Sequence, residues 1–203
     1  MKKIIFIFTL LIFVIACKST PESSTPEDVV IAEEPTPAVE EENEENEEKE
    51  AAVLYLPENT YIRETDRGRV LETNPKIIFK LVETNIPASA DITFAQVMEF
   101  LDKNTNANII LEAHTSNRGI AYPYNYNLSV VRAKNGKKYL LDKGVASERV
   151  IESPLGEALP EYPTQNDLRR YEFVIIENDD DMVKYNTYIS QIDVRQESTY
   201  QGN

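Results

Sequence analysis

One cysteine, one histidine and no tryptophan occur in the 203 residues, and the longest apolar segment spans only residues 4–16. A single cysteine, Cys17, rules out an intramolecular disulfide. With one histidine, His114, the chain shows no His/Cys cluster of metal-ligand spacing. Ser116 lies two residues after His114, but no third group orients the pair as nucleophile and base. Six glycines are scattered along the chain, and none forms a phosphate-cradling loop. The chain is therefore read as non-enzymatic, with no metal and no cofactor. Nothing in the sequence favours nucleic acid, which would call for a basic face. Thirteen residues are also too few to cross a bilayer as a helix, which takes about 20.

What is present begins at the N-terminus. Lys2 and Lys3 precede the apolar segment, the layout of a signal peptide occupying residues 1–16. Val14-Ile15-Ala16-Cys17 resembles the lipobox of bacterial lipoproteins, with Val14 where leucine is usual. That resemblance implies cleavage before Cys17 and acylation of its sulfur and new amino group, anchoring the protein to a membrane. Each buried CH₂ of an acyl chain adds about 0.8 kcal/mol, so several chains hold stably. Lys18, rather than aspartate, follows the cysteine, which points to the periplasmic face of the outer membrane.

The charge is unevenly placed. Residues 21–50 hold thirteen acidic side chains against Lys49 alone, a balance of −12 that leaves only −2 for the rest of the chain. Residues 17–52 lack aromatics and cannot bury enough surface to fold, so they read as an acidic tether. A flexible coil of that length spans roughly 30–35 Å, and about 120 Å fully extended.

β-Branched and aromatic residues return after Ala52. The patterns predict strands at Val53-Leu54-Tyr55-Leu56, at residues 76–82, 106–112 and 171–176, and from Arg149 onward. A helix capped by Ser89 or Asp91 would bury Ile92, Ala95, Val97, Met98 and Leu101. A longer helix would bury Leu128, Val131, Ala133, Gly136, Tyr139 and Leu140 and stop at Gly144. Strands alternating with helices make residues 53–177 an α/β domain. Residues 178–203 form a polar tail with one amphipathic turn at Met182, Tyr185, Tyr188 and Ile189.

Several spaced motifs then converge: His114-Thr115-x-x-x-Gly119; Tyr124-Asn125-x-x-Leu128-Ser129-x-x-Arg132-Ala133; Tyr139-Leu140-x-x-Lys143-Gly144-Val145; Gly156-Glu157-x-x-Pro160; and Arg169-Arg170-x-Glu172-Phe173. Together they resemble the OmpA C-terminal-like domain over roughly residues 76–177. One extra residue lies between Gly119 and Asn125, Gly136 replaces a helix aliphatic, and Pro154 replaces a glycine. The resemblance implies a β/α/β/α/β fold with a mixed sheet. It also implies non-covalent binding of peptidoglycan through the diamino acid of the stem peptide, an aspartate facing the ammonium and an arginine facing the carboxylate.

Carried over by position, Arg132 is the cation, Ser116 stands where the family has aspartate, and Thr115 and Asn125 flank the site. Losing a carboxylate partner weakens a charged hydrogen bond by about 1.5–3 kcal/mol, roughly ten- to 150-fold in affinity. Three outcomes follow: binding through Ser116, Thr115, Arg132 and backbone amides; recognition of a different diamino acid; or loss of wall binding with the scaffold retained for docking another envelope protein.

Overall fold

The computed structural model describes residues 53–195. The expected signal segment, lipidation site and tether lie outside them. Among the described residues no helix is long and apolar enough to cross a membrane.

Five strands form one mixed sheet: β1 (Thr60–Thr65), β2 (Gly68–Thr73), β3 (Asn108–His114), β4 (Val150–Gly156) and β5 (Tyr171–Ile176). Their order is β1-β2-β5-β3-β4, with β3 and β4 parallel and every other pair antiparallel. The helices are α1 (Ala90–Lys103), α2 (Tyr126–Asp142) and α3 (Asp179–Ser190). This is the mixed α/β architecture expected.

Alternation along β3 assigns its two faces. Ile109, Leu111 and Ala113 join Phe94, Val97, Phe100, Leu140, Tyr171 and Phe173 in the main core, beneath α1 and α2. Ile110 faces the other way, with Val70, Val174, Ile176 and Tyr185. Fully burying each large apolar side chain contributes about 1.5–3 kcal/mol, which makes the first cluster the principal source of stability.

The strand expected at residues 53–56 does not form. Asn104 takes both backbone groups of Tyr55, its Oδ1 accepting from the Tyr55 N–H and its Nδ2 donating to the carbonyl, each at 2.9 Å. A side-chain amide thus replaces a neighbouring strand. Residues 76–82 bury Ile77 and Phe79 as alternation suggested, but make only an isolated bridge between Ile78 and Arg170. The place beside β5 goes instead to β2, half of a hairpin whose charged, turn-forming sequence carried a weak strand signal.

Both helical faces are rotated from expectation. Helix α1 turns Phe94 and Phe100 inward and leaves Ile92 exposed, while Thr93 and Gln96 are buried because they bond to the carbonyls of Pro75, Glu58 and Asn74. Ser89 sits at the N-cap without a side-chain cap bond, and Asp91 instead accepts from the Tyr139 hydroxyl (2.7 Å). On α2 the buried line is Ser129, Arg132, Ala133, Gly136 and Leu140, with Val131 outside. Gly144 ends this helix as expected, at φ +99.

The polar tail is corrected too. Residues 179–190 form a full helix, capped by Asn178 accepting from the Asp181 N–H (2.9 Å), with three aspartates at its positive end. Tyr185 anchors it to the sheet at 4% exposure.

Gly136 explains its own departure from the family pattern. A Cβ there would come within 2.8 Å of Leu111 Cδ1 and 3.0 Å of the Tyr171 ring. Gly136→Leu should therefore destabilise the domain by about 1–3 kcal/mol despite leucine's better helix propensity. Denaturant unfolding checks this, and an unchanged midpoint would show that the neighbours repack freely.

Candidate functional site

The site grows from the C-terminal ends of the parallel pair β3 and β4. The Thr115 N–H donates to the Gly156 carbonyl (2.7 Å), joining the two strand ends. Gly156 is required there, since at φ +56 an added Cβ would meet the Tyr126 backbone at 3.3 Å. Its N–H donates to Ser129 Oγ (3.0 Å), whose hydroxyl donates to the Tyr126 carbonyl (2.7 Å). The start of α2 is thereby fastened over both strand ends. The residues between Gly119 and Asn125 are taken up by a wide turn, Ala121–Asn125, in which the Asn125 N–H reaches back to Ile120 O (3.0 Å).

All four residues carried over by position come together here. Ser116, Thr115, Asn125 and Arg132 are each at most 3% exposed. The Asn125 amide nitrogen is shared among Ser116 O (3.2 Å), Arg118 O (3.1 Å) and Glu157 Oε2 (2.5 Å), so one side chain clamps the 114–118 loop to the end of β4. Arg132 donates to Glu83 O (2.8 Å), His114 O (3.0 Å) and Lys80 O (3.3 Å), and its guanidinium lies 4.3 Å from the centre of the Phe79 ring. Burial pushes its pKa down to about 10, so it keeps its charge at neutral pH. Three of its five N–H groups are engaged in those bonds. The segment around residues 80–84 lies over it as a strap, also receiving Asn135 Nδ2 at Thr84 O (2.9 Å), with Val82 left-handed at φ +56 and its side chain exposed. A cleft of about 370 Å³ lies elsewhere, lined by Met98, Leu101, Lys143, Val145 and Arg149.

Beneath the loop, on the opposite sheet face, is a buried charge cluster that sequence spacing did not reveal. Glu112 and Glu172 are direct register partners on β3 and β5, and both are buried. Arg67, in the β1–β2 turn and 1% exposed, bonds Glu112 Oε1 (3.0 Å) and Glu172 Oε2 (2.6 Å). Arg170 adds a contact to Glu172 (3.0 Å) and stacks on Tyr162, while the Tyr185 hydroxyl donates to Glu112 Oε1 (3.0 Å) and lies 2.7 Å from Ser153 Oγ. His114 Nε2 sits 3.3 Å from Glu112 and 3.5 Å from Glu172.

Glu112, His114 and Glu172 could in principle ligate a metal, their ligand atoms all lying within 4.8 Å of one another. The carboxylates are already neutralised by Arg67 and Arg170, which would also repel a cation. The group is an ion-pair network. Glu112, the acid nearest Ser116 in sequence, is committed to it. Arg169 is likewise structural, donating to Phe79 O (2.8 Å) and Gln165 O (2.7 Å).

A mixed sheet with a parallel β3-α2-β4 unit gathers the four residues carried over by position where the strands end, a mixed α/β architecture. Residues 78–172 match the OmpA family. A relative in Mesorhizobium japonicum, called peptidoglycan-associated lipoprotein, is 32% identical over 85 residues, 42% of this chain and 50% of that protein. The chain thus spans about half the length of the curated relative it matches. The periplasmic domain of Helicobacter pylori MotB shares the fold in two structures. One, of residues 90–256, has a TM-score of 0.51 at 17% identity, covering 66% of this chain and 89% of that one. The other, of residues 78–256, has a TM-score of 0.50 at 17% identity, covering 65% and 90%.

The cluster predicts acid sensitivity. Burial, with Arg170 alongside, holds His114 below its ordinary value. Burial would raise the Glu172 carboxyl, but His114, Arg170 and Arg67 together hold it well below the usual range. In both cases the unfolded chain takes up protons first, so stability falls on acidification, below roughly pH 6.5 for the histidine and below about 4.5 for the carboxylate. His114→Gln should flatten the loss of melting temperature between about pH 7.5 and 5, and leave the loss below about 4.5 in place. Thermal melts by circular dichroism check this; an unchanged slope in the upper range would assign it to another group.

Proposed function

We propose that the chain is an envelope lipoprotein whose OmpA-family domain binds peptidoglycan non-covalently and links a membrane to the cell wall, without catalysis. One observation carries the reading: the family match spans the whole arrangement, from the strap through the 114–118 loop and Arg132 to β5. The name of the Mesorhizobium relative agrees with it, as do Val14-Ile15-Ala16-Cys17 and the acidic tether behind them. In this reading the diamino acid of a stem peptide enters at the ends of β3 and β4. Its carboxylate takes the remaining N–H groups of Arg132, a charge-assisted contact among the stronger hydrogen bonds. Thr115, Ser116 and Asn125 shape the loop beside it. Lipid on Cys17 holds the other end at the periplasmic face of the outer membrane.

The competing reading is a scaffold that docks another envelope protein. It is favoured by the complete burial of Arg132 and by exposed Leu81, Val82, Ile120, Tyr122 and Tyr124 on the strap and the wide turn. Sedimentation separates the two. The full chain should pellet with purified sacculi of its host and be released by excess free diaminopimelate. Failure of the wild type to pellet, with recovery in Ser116→Asp, would establish the scaffold instead. For the anchor, the full chain should enter the detergent phase on phase partition and Cys17→Ser should remain aqueous; equal partition of both would remove lipidation from the proposal.

A further inference from the structure

With serine at position 116, a zwitterion site lacks its anion, and the fold supplies a carboxylate close by. Glu157 is 7% exposed. Its Oε2 is held by Asn125 Nδ2 at 2.5 Å, the same nitrogen that bonds the Ser116 carbonyl at 3.2 Å. Its Oε1 is buried and has no hydrogen-bond partner among the described residues. An ionised carboxylate only accepts hydrogen bonds, so this oxygen calls for a donor.

Two more acceptors are stranded around the same loop. Thr115 Oγ1 is buried and unpartnered, on the residue whose N–H binds the carbonyl just before Glu157. Gln165 Oε1 is also buried and unpartnered, while its Nε2 donates to Asn117 Oδ1 (2.7 Å). Three unpartnered oxygens, one on a carboxylate, thus sit on Thr115 itself and on two side chains tied by hydrogen bonds to residues 116 and 117 of one loop. A primary ammonium carries three donors, no acceptor and a positive charge, and matches that set in number and sign. Glu112 cannot serve, being bound to Arg67 and Tyr185.

We infer that Glu157, not residue 116, is the anion of this site, and that the structure takes a primary ammonium between Glu157 Oε1, Thr115 Oγ1 and Gln165 Oε1. The inference rests on the wall-binding reading and deepens it, adding a specificity-determining residue on β4's end to the loop and helix residues. Serine at position 116 is then compensated: it leaves the loop neutral, and the charge comes from the adjoining strand.

The test uses the full chain, with meso-diaminopimelate and its form acetylated on both amino groups as probes in titration calorimetry, and sacculi in sedimentation. Glu157→Gln keeps an acceptor for Asn125 and removes only the charge. It should weaken meso-diaminopimelate about ten- to a hundredfold and leave the probe acetylated on both amino groups, which lacks any ammonium charge, at the wild-type affinity. Equal affinity of Glu157→Gln and wild type for meso-diaminopimelate, with wild type retained on sacculi, overturns the inference and leaves wall binding intact; the oxygen is then filled by water. Wild type that binds neither the probe nor sacculi overturns the wall-binding reading and this inference with it. If Glu157→Gln melts well below wild type, Thr115→Val replaces it, with a several-fold loss for meso-diaminopimelate expected and no loss overturning the proposal.

Discussion

Two carboxylates facing each other in the middle of the sheet set the terms for the rest of this domain. Glu112 and Glu172 are register partners on β3 and β5, both buried, and like charges directly opposite on a sheet repel. Leaving either unpaired inside the protein would cost several kcal/mol. The chain answers with Arg67 from a hairpin turn, Arg170 from the approach to β5 and a hydroxyl from α3. Each comes from a different element, so the hairpin, the loop ahead of β5 and the C-terminal helix are all drawn to one point. A turn arginine at 1% exposure makes sense only in those terms.

The same strand carries this requirement to the site. His114 ends β3 with its ring between the two carboxylates and its carbonyl on Arg132 Nη1. The charge cluster on one sheet face and the candidate residues above the strand ends therefore share a residue. Rigid placement of a recognition loop depends on such support, because a short polar loop has little packing of its own. Asn125 does the corresponding work from the α2 side, holding the loop backbone and Glu157 together.

Much of the fold was legible because periodicity reports burial on one face. Helices α1 and α2, strands β3 and β5 and the Gly144 stop were all recognisable, as was the loop holding Thr115, Ser116 and Asn125. The misreadings share a cause. Ile92 and Val131 are apolar yet exposed, while Gln96 and Arg132 are polar yet buried, since a polar group enters the interior wherever carbonyls await it. The strand expected at residues 53–56 was lost to an asparagine 49 positions away. The hairpin and α3 passed unnoticed because their burial depends on partners distant in sequence.

What the sequence alone determined was the class of domain, the order of most of its elements and the loop that holds the candidate residues, all of which follow from local pattern and from spaced motifs. Tertiary structure decided which charges are available. It committed Glu112 to Arg67, covered Arg132 with three backbone carbonyls and brought Glu157 beside Ser116. The physical reason is that a side chain's charge acts over a few ångströms, and which groups meet at that distance is settled by strand register and helix rotation, not by separation along the chain.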